Sequence, residues 1–153
     1  MGKYRNFIGD LHKSTKRNYL ERMINDKAEC MKVAREFDHS FWDGDRKFGY
    51  GGYKYIEDRW MPLAEQLINT YSLKEQSSVL DVGCGKGFVL YELKKIIPSL
   101  KISGFDISTY AINNSKKEIK DNLFVHDAGL QFPYEDKKFD LVISLATLHN
   151  LKI

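Results

Sequence analysis

The sequence predicts an α/β domain: a parallel sheet with helices on both faces, behind a helical and loop extension. Three observations predict it. Residues 77–82 form a short, β-branched, apolar run that contains an acid, Asp81, and leads into Gly83, Gly85 and Gly87. A helical apolar pattern begins at once over residues 88–97, and Pro98 stops it. Further strand-like runs recur over residues 101–107, 122–126 and 139–146, with a helix or turn between each. A strand, a tight glycine turn and a helix make one half of a nucleotide-binding βαβ unit.

The glycine spacing narrows the ligand. A dinucleotide fingerprint needs G-x-G-x-x-G, and Phe88 stands where its third glycine belongs. A phosphate-cradling loop needs G-x-x-x-x-G-K-[ST], which the chain lacks. The string Asp81-Val82-Gly83-Cys84-Gly85-Lys86-Gly87 instead resembles motif I of class I, Rossmann-like methyltransferases dependent on S-adenosylmethionine (SAM). A Cβ on these glycines would hold the backbone away from a ligand lying across the strand ends. The second strand ends at Asp106, nineteen residues past Gly87, where an acid can accept hydrogen bonds from both ribose hydroxyls. Ser108 or Thr109 then caps a helix expected to run to about Ile119. The third strand, 122–126, is followed by Asp127. The run 139–146 is apolar throughout, as in a central strand covered on both faces.

The resemblance covers residues 77–151 and implies a site. Asp81, Gly83, Cys84, Gly85 and Gly87 would meet the methionine half of SAM or of its product S-adenosylhomocysteine (SAH). Asp106 and Ile107 would hold the ribose, Asp127 and Ala128 the adenine, and Ser144 would lie at the end of the fourth strand. His149, just beyond that strand, lies near the methyl acceptor and is the candidate general base. The segment FPYEDKKFDLVISLATLHNL is similar to the small-molecule, methyltransferase type 11-like branch. The absence of [DNS]-P-P-[YFW] after strand 4 argues against exocyclic-amino DNA methylation, and the absence of a Pro-Cys pair against cytosine-C5 methylation. The implied function is methyl transfer from SAM to a small-molecule acceptor; the alternative is a SAM-binding or interaction module without catalysis.

The family sheet has seven strands in order 3-2-1-4-5-7-6, and this sequence supplies strands 1 to 4. The expectation is therefore a chain truncated after the fourth strand, with little methyl transfer of its own. Its apolar strand 4 edge should self-associate or be covered by the N-terminal region.

Two parts are expected: an extension over 1–57 and the partial core over 58–153. Residues 14–37 carry Leu20, Met23, Ile24, Met31 and Ala34 at helical spacing. Residues 41–55 follow, dense in aromatics and glycine. Such a stretch is either packing or a lid over cofactor and substrate, with Tyr50 and Tyr53 the candidate lid residues. Residues 58–71 read as a helix, with Pro62 in its first turn and Leu63, Leu67, Ile68 and Tyr71 as its buried stripe.

Composition bounds the rest. The 153 residues suit one domain, and the net charge is a mild +3. Residues 1–36 hold nine Lys/Arg against five Asp/Glu, a balance that suits a solvated helix face better than a nucleic-acid patch. Two cysteines, Cys30 and Cys84, show neither disulfide nor zinc spacing, and His12, His39 and His126 lack partners at metal spacing, so no metal is expected. No apolar run reaches transmembrane length and no signal peptide is evident, which points to a soluble, cytoplasmic protein.

Overall fold

A computed structural model describes residues 2–9 and 27–151, with the side chain of His149 outside that set. Four parallel strands form its centre: β1 (Ser78–Val82), β2 (Lys101–Asp106), β3 (Leu123–Val125) and β4 (Leu141–Ile143), in the order β3-β2-β1-β4. Val79 of β1 faces Ile102 of β2 and Leu141 of β4, and Asp81 faces Gly104 and Ile143. The strand order is the one expected, and the strands change direction of progression beside β1. Ligands of open parallel sheets lie outside the strand carboxyl ends at such a point.

The helices are α1 (Lys27–Ala34), α2 (His39–Trp42), α3 (Met61–Tyr71), α4 (Phe88–Ile96) and α5 (Thr109–Asn113). Helices α3 and α4 place Leu63, Leu67, Leu90 and Leu93 against Val79, Ile102, Leu141 and Ile143 in the main core. A smaller cluster covers the opposite face, where Leu80, Val82 and Phe105 meet Phe124, Tyr134 and Phe139. Burying a leucine-sized side chain contributes roughly 1.5–3 kcal/mol, so the first face carries most of the stability.

Several elements depart from expectation for local reasons. The helix after β2 ends at Asn113 rather than near Ile119. Asn114 Nδ2 joins its own backbone N–H on Tyr110 O, and Ser115 N and Oγ both donate to Ile112 O, so the last turn tightens and side chains crowd the carbonyls at which the helix would continue. Strand β4 spans only three residues: Ser144 Oγ turns to donate to Val82 O, and Ala146 is left-handed at φ 57°. It is covered on one face only, since Val142 is 54% exposed between buried Leu141 and Ile143. In α3 the stripe holds at Leu63 and Leu67, but Tyr71 is half exposed and stacks on Phe7, with ring centroids 6.1 Å apart. Helix α1 buries no residue, and Met31 of its expected stripe is exposed; Leu20, Met23 and Ile24 lie outside the described residues.

Candidate functional site

Asp81 sits on β1 with both sheet neighbours in place, and only 3% of its surface is exposed. Its Oδ1 is buried with no hydrogen-bond partner. Burial, and then the nearby Asp106 carboxylate, push its pKa from 3.8 up to about 7. A carboxylate held so is a poor choice for stability and a good receptor for a cation.

The glycine turn follows. The missing Cβ atoms of Gly83 and Gly87 are demanded by the chain's own packing: a Cβ on Gly83 would lie 2.0 Å from Thr147 Oγ1 in the turn after β4, and one on Gly87 2.7 Å from Ile119 Cδ1 in the core. Gly85 differs. Its Cβ would meet the indole of Trp42, 2.8 Å away, from the N-terminal extension. The Gly85 amide donates to Asp106 Oδ2 and the Ser108 amide to Oδ1, both at 2.8 Å. Burial raises the Asp106 pKa, and these two amide bonds pull back against the rise. Ser108 caps α5, its Oγ accepting from Ala111 N at 3.0 Å.

Over this turn lies the aromatic segment. Trp42 stacks on Tyr50 at 5.2 Å, Tyr50 meets Tyr53 at 4.6 Å, and Tyr53 stacks on Phe88 at 5.1 Å. Burial, then Tyr50 and Asp81, raise the Tyr53 hydroxyl pKa, which keeps it neutral. Asp43 ties the segment down. Its Oδ2 accepts from Lys86 Nζ at 2.7 Å and from the Tyr110 hydroxyl at 2.8 Å, while Oδ1 accepts from Tyr53 N at 2.9 Å. Burial alone would raise the Asp43 pKa, but the bonds from Lys86 and Tyr110 and the Lys86 charge carry it below the usual range.

The structure thus gathers Asp81, Gly83, Cys84, Gly85, Gly87 and Asp106 at the strand ends, with Tyr50 and Tyr53 above them. Cys84 is buried, and burial, then Asp81 and Asp106, push its thiol pKa well up, so it is an inert filler. Ile107 is 48% exposed. Asp127 is exposed, and its Oδ1 accepts from Gly129 N, which makes a turn; Ala128 packs against the smaller core cluster. Ser144 bonds to the carbonyl of Val82 at the end of β1. The backbone of His149 lies in a short 3-10 turn, Leu148–Asn150. Sequence reasoning passed over Trp42, Asp43, Lys86 and Tyr110. Nothing in local spacing joins them, although the Trp-Asp pair inside an aromatic-glycine stretch was a visible oddity.

Comparison with known proteins agrees with this geometry. Residues 73–153, more than half of the chain, match the methyltransferase domain family. Ribosomal RNA small subunit methyltransferase C of Buchnera aphidicola is 32% identical over 83% of this chain and 39% of its own length. Malonyl-[acyl-carrier protein] O-methyltransferase 1 of Ilyobacter polytropus is 32% identical over 64% of this chain and 37% of its own. The chain therefore spans less than two fifths of either relative. Among solved structures, a protein assigned as a SAM-dependent methyltransferase from Methanococcus maripaludis superposes with a TM-score of 0.52. It is 23% identical and covers 61% of this chain and 44% of its own. A protein of echinomycin biosynthesis gives a TM-score of 0.51 at 24% identity, over 71% and 47% of the two chains. With its β3-β2-β1-β4 sheet and its glycine turn over two buried acids, this chain belongs to the methyltransferase domain family and has the class I, Rossmann-like fold.

Proposed function

We propose that the chain binds SAM at the carboxyl ends of β1 and β2 and directs its methyl group to a small-molecule acceptor. The observation that carries this reading is the buried, unpartnered Oδ1 of Asp81 beneath the glycine turn. A bound cation satisfies that oxygen and restores the ionised carboxylate. Bound SAM supplies a sulfonium that activates its methyl toward a nucleophile. The protein's own residues bind, orient and exclude water. Asp81 receives the cationic methionine end, Asp106 the ribose hydroxyls, and Asp127 with the Ala128 amide the adenine. Ile107 flanks the ribose, Ser144 borders the acceptor side, and Tyr50 and Tyr53 belong to a lid that opens to admit the cofactor. His149 takes the proton of an acceptor that must lose one.

The extension assigned to 1–57 acts, through its residues 37–57, as a cap on the core assigned to 58–153. Cys30 and Cys84 are both free, which suits a reducing cytoplasm, and no helix among the described residues is long and apolar enough to cross a membrane.

A second reading, RNA as acceptor, is favoured by the ribosomal RNA methyltransferase matched over 83% of the chain. Calorimetry with SAM, SAH and NAD tests the cofactor: SAM and SAH should bind and NAD should not. Labelled methyl transfer into RNA and into a small-molecule pool then separates the acceptors. Binding of NAD alone would refute the cofactor reading.

A further inference from the structure

Both acids assigned to the cofactor are inaccessible in this structure: Asp81 is 3% and Asp106 7% exposed. The glycine turn from Cys84 to Gly87 is buried with them. What covers it is Trp42, itself 5% exposed, whose ring lies against Gly85 and whose Nε1 donates to Ser108 Oγ at 2.8 Å. Ser108 is the residue whose amide holds Asp106. A ribose cannot reach Asp106 while the indole is seated there.

The covering segment is built to move as a unit. Its loop is tied to itself: Tyr50 N donates to Phe41 O, and Gly52 N and Tyr53 N donate to Trp42 O. Two non-glycine residues bound it in the left-handed region, Phe37 at φ 48° and Asp58 at φ 58°. Such residues are strained and are found where backbones hinge or switch. Between them Asp43 fastens the segment to Lys86 of the glycine turn and to Tyr110 of α5, and near the Asp58 end the Tyr55 hydroxyl donates to buried Glu92 of α4. Lys86 has 6% of its side chain exposed, so breaking the Asp43 contact without moving the segment would strand a buried charge.

We propose that Trp42 is a plug in the cofactor site. Segment 37–58 must lift about Phe37 and Asp58 to admit the cofactor, with the Asp43–Lys86–Tyr110 contact as its latch. This rests on the cofactor reading above. Trp42 then competes with the cofactor for the space over Gly85, whereas a fixed pocket wall would add to its binding.

The chain has two tryptophans, and in a Trp60→Phe background Trp42 is the sole indole reporter. Acrylamide quenching should find Trp42 shielded in the free chain and several-fold more accessible once SAH is bound. Asp43→Asn in the same background should raise accessibility without ligand. Trp42→Ala, read by calorimetry, should bind SAH several-fold more tightly than the wild type. If SAH binds with its normal heat while Trp42 stays shielded, the plug is overturned, whether or not Trp42→Ala folds. Unchanged quenching in Asp43→Asn overturns the latch. No heat with SAH in either the wild type or the Trp60→Phe variant overturns the cofactor reading, and the plug with it.

Discussion

Trp42 and Ser108 are joined by a 2.8 Å hydrogen bond from the indole Nε1 to the serine Oγ, across 66 residues of sequence. The same Oγ accepts from Ala111 N and donates to Phe37 O, so one buried hydroxyl ties the extension to the start of α5, while the Ser108 amide separately holds Asp106. Removing the hydroxyl affects the first two and leaves the amide bond in place. Ser108→Ala should lower stability by about 1–2 kcal/mol in urea denaturation, as for a lost helix cap. Ser108→Gly costs a cap only a few tenths of a kcal/mol. It therefore isolates the hydroxyl's two bonds to the extension, from Trp42 Nε1 and to Phe37 O, and a glycine variant as stable as the wild type would show that they add nothing.

Asp106 is expected to serve both fold and ligand. In Asp106→Ala the Gly85 and Ser108 amides lose their acceptor, which costs about 1–3 kcal/mol of stability for an unsatisfied buried donor. The same change should weaken SAH by about 1.5–3 kcal/mol, the value of a charge-assisted pair. Denaturation and calorimetry read the two losses separately. A variant that loses stability yet binds SAH unchanged removes Asp106 from the site.

Asp81 should make stability depend on pH in a particular direction. Its folded pKa, about 7, lies above the ordinary 3.8, so the folded chain holds the extra proton between those values. Stability from this group is present below pH 4, falls as pH rises through 7, and is flat above it. Asp81→Asn removes the charged state. The variant should melt close to the wild type near pH 4.5 and well above it at pH 8, by a difference of up to ~a few kcal/mol. It should also bind SAH more weakly. Equal melting shifts at both pH values would show that the buried charge carries no penalty.

The strands, the glycine turn and both acids were legible in the sequence because each depends on local pattern, while the sheet order was implied by the family resemblance that the glycine motif carries. Strand residues alternate or run apolar, and Gly83, Gly85 and Gly87 announce a turn by their spacing alone. The helix from Ser108 was legible at its start, where a cap has a residue type, and not at its end. There Asn114 and Ser115 stop it through side-chain bonds to Tyr110 and Ile112 that the apolar pattern does not encode. The strand 4 run looked covered on both faces, yet Val142 is exposed, since hydrophobicity reports what a residue tolerates and not what lies opposite. The Trp42–Ser108 and Asp43–Lys86 contacts were illegible for a different reason: they join segments whose separation in the chain sets no period.

The glycines should separate by readout. Gly87 is left-handed at φ 73° and has Ile119 and Leu123 where a Cβ would go. Gly87→Ala should cost about 1–3 kcal/mol of stability from overpacking, with strain added. Gly85 is left-handed too, at φ 56°, but faces an indole rather than core side chains, so Gly85→Val should cost stability through strain and in addition abolish SAH binding in calorimetry. Full-affinity binding by Gly85→Val would show that the ligand does not approach this backbone.

The edge of β4 opposite β1 has no strand partner among the described residues. An apolar groove of about 130 Å³ runs there between Leu63, Leu67 and Tyr71 of α3 and residues 141–145, and Phe7 lines it. Phe7 and Ile8 also pack on the main core, and Asn6 O accepts from Gln66 Nε2 at 3.5 Å. Residues 6–8 therefore shield part of the surface that an unpaired strand leaves open to other chains. Phe7→Ala should lower stability by about 1–3 kcal/mol, less than for a fully buried phenylalanine because this ring is half-buried. It should also shift the chain toward larger species in sedimentation as Leu141, Ile143 and Leu145 become reachable. Adding Val142→Lys places a charge on the exposed face of β4 and should reverse that shift without restoring stability. If Phe7→Ala sediments as the wild type does, residues 6–8 do not guard this edge.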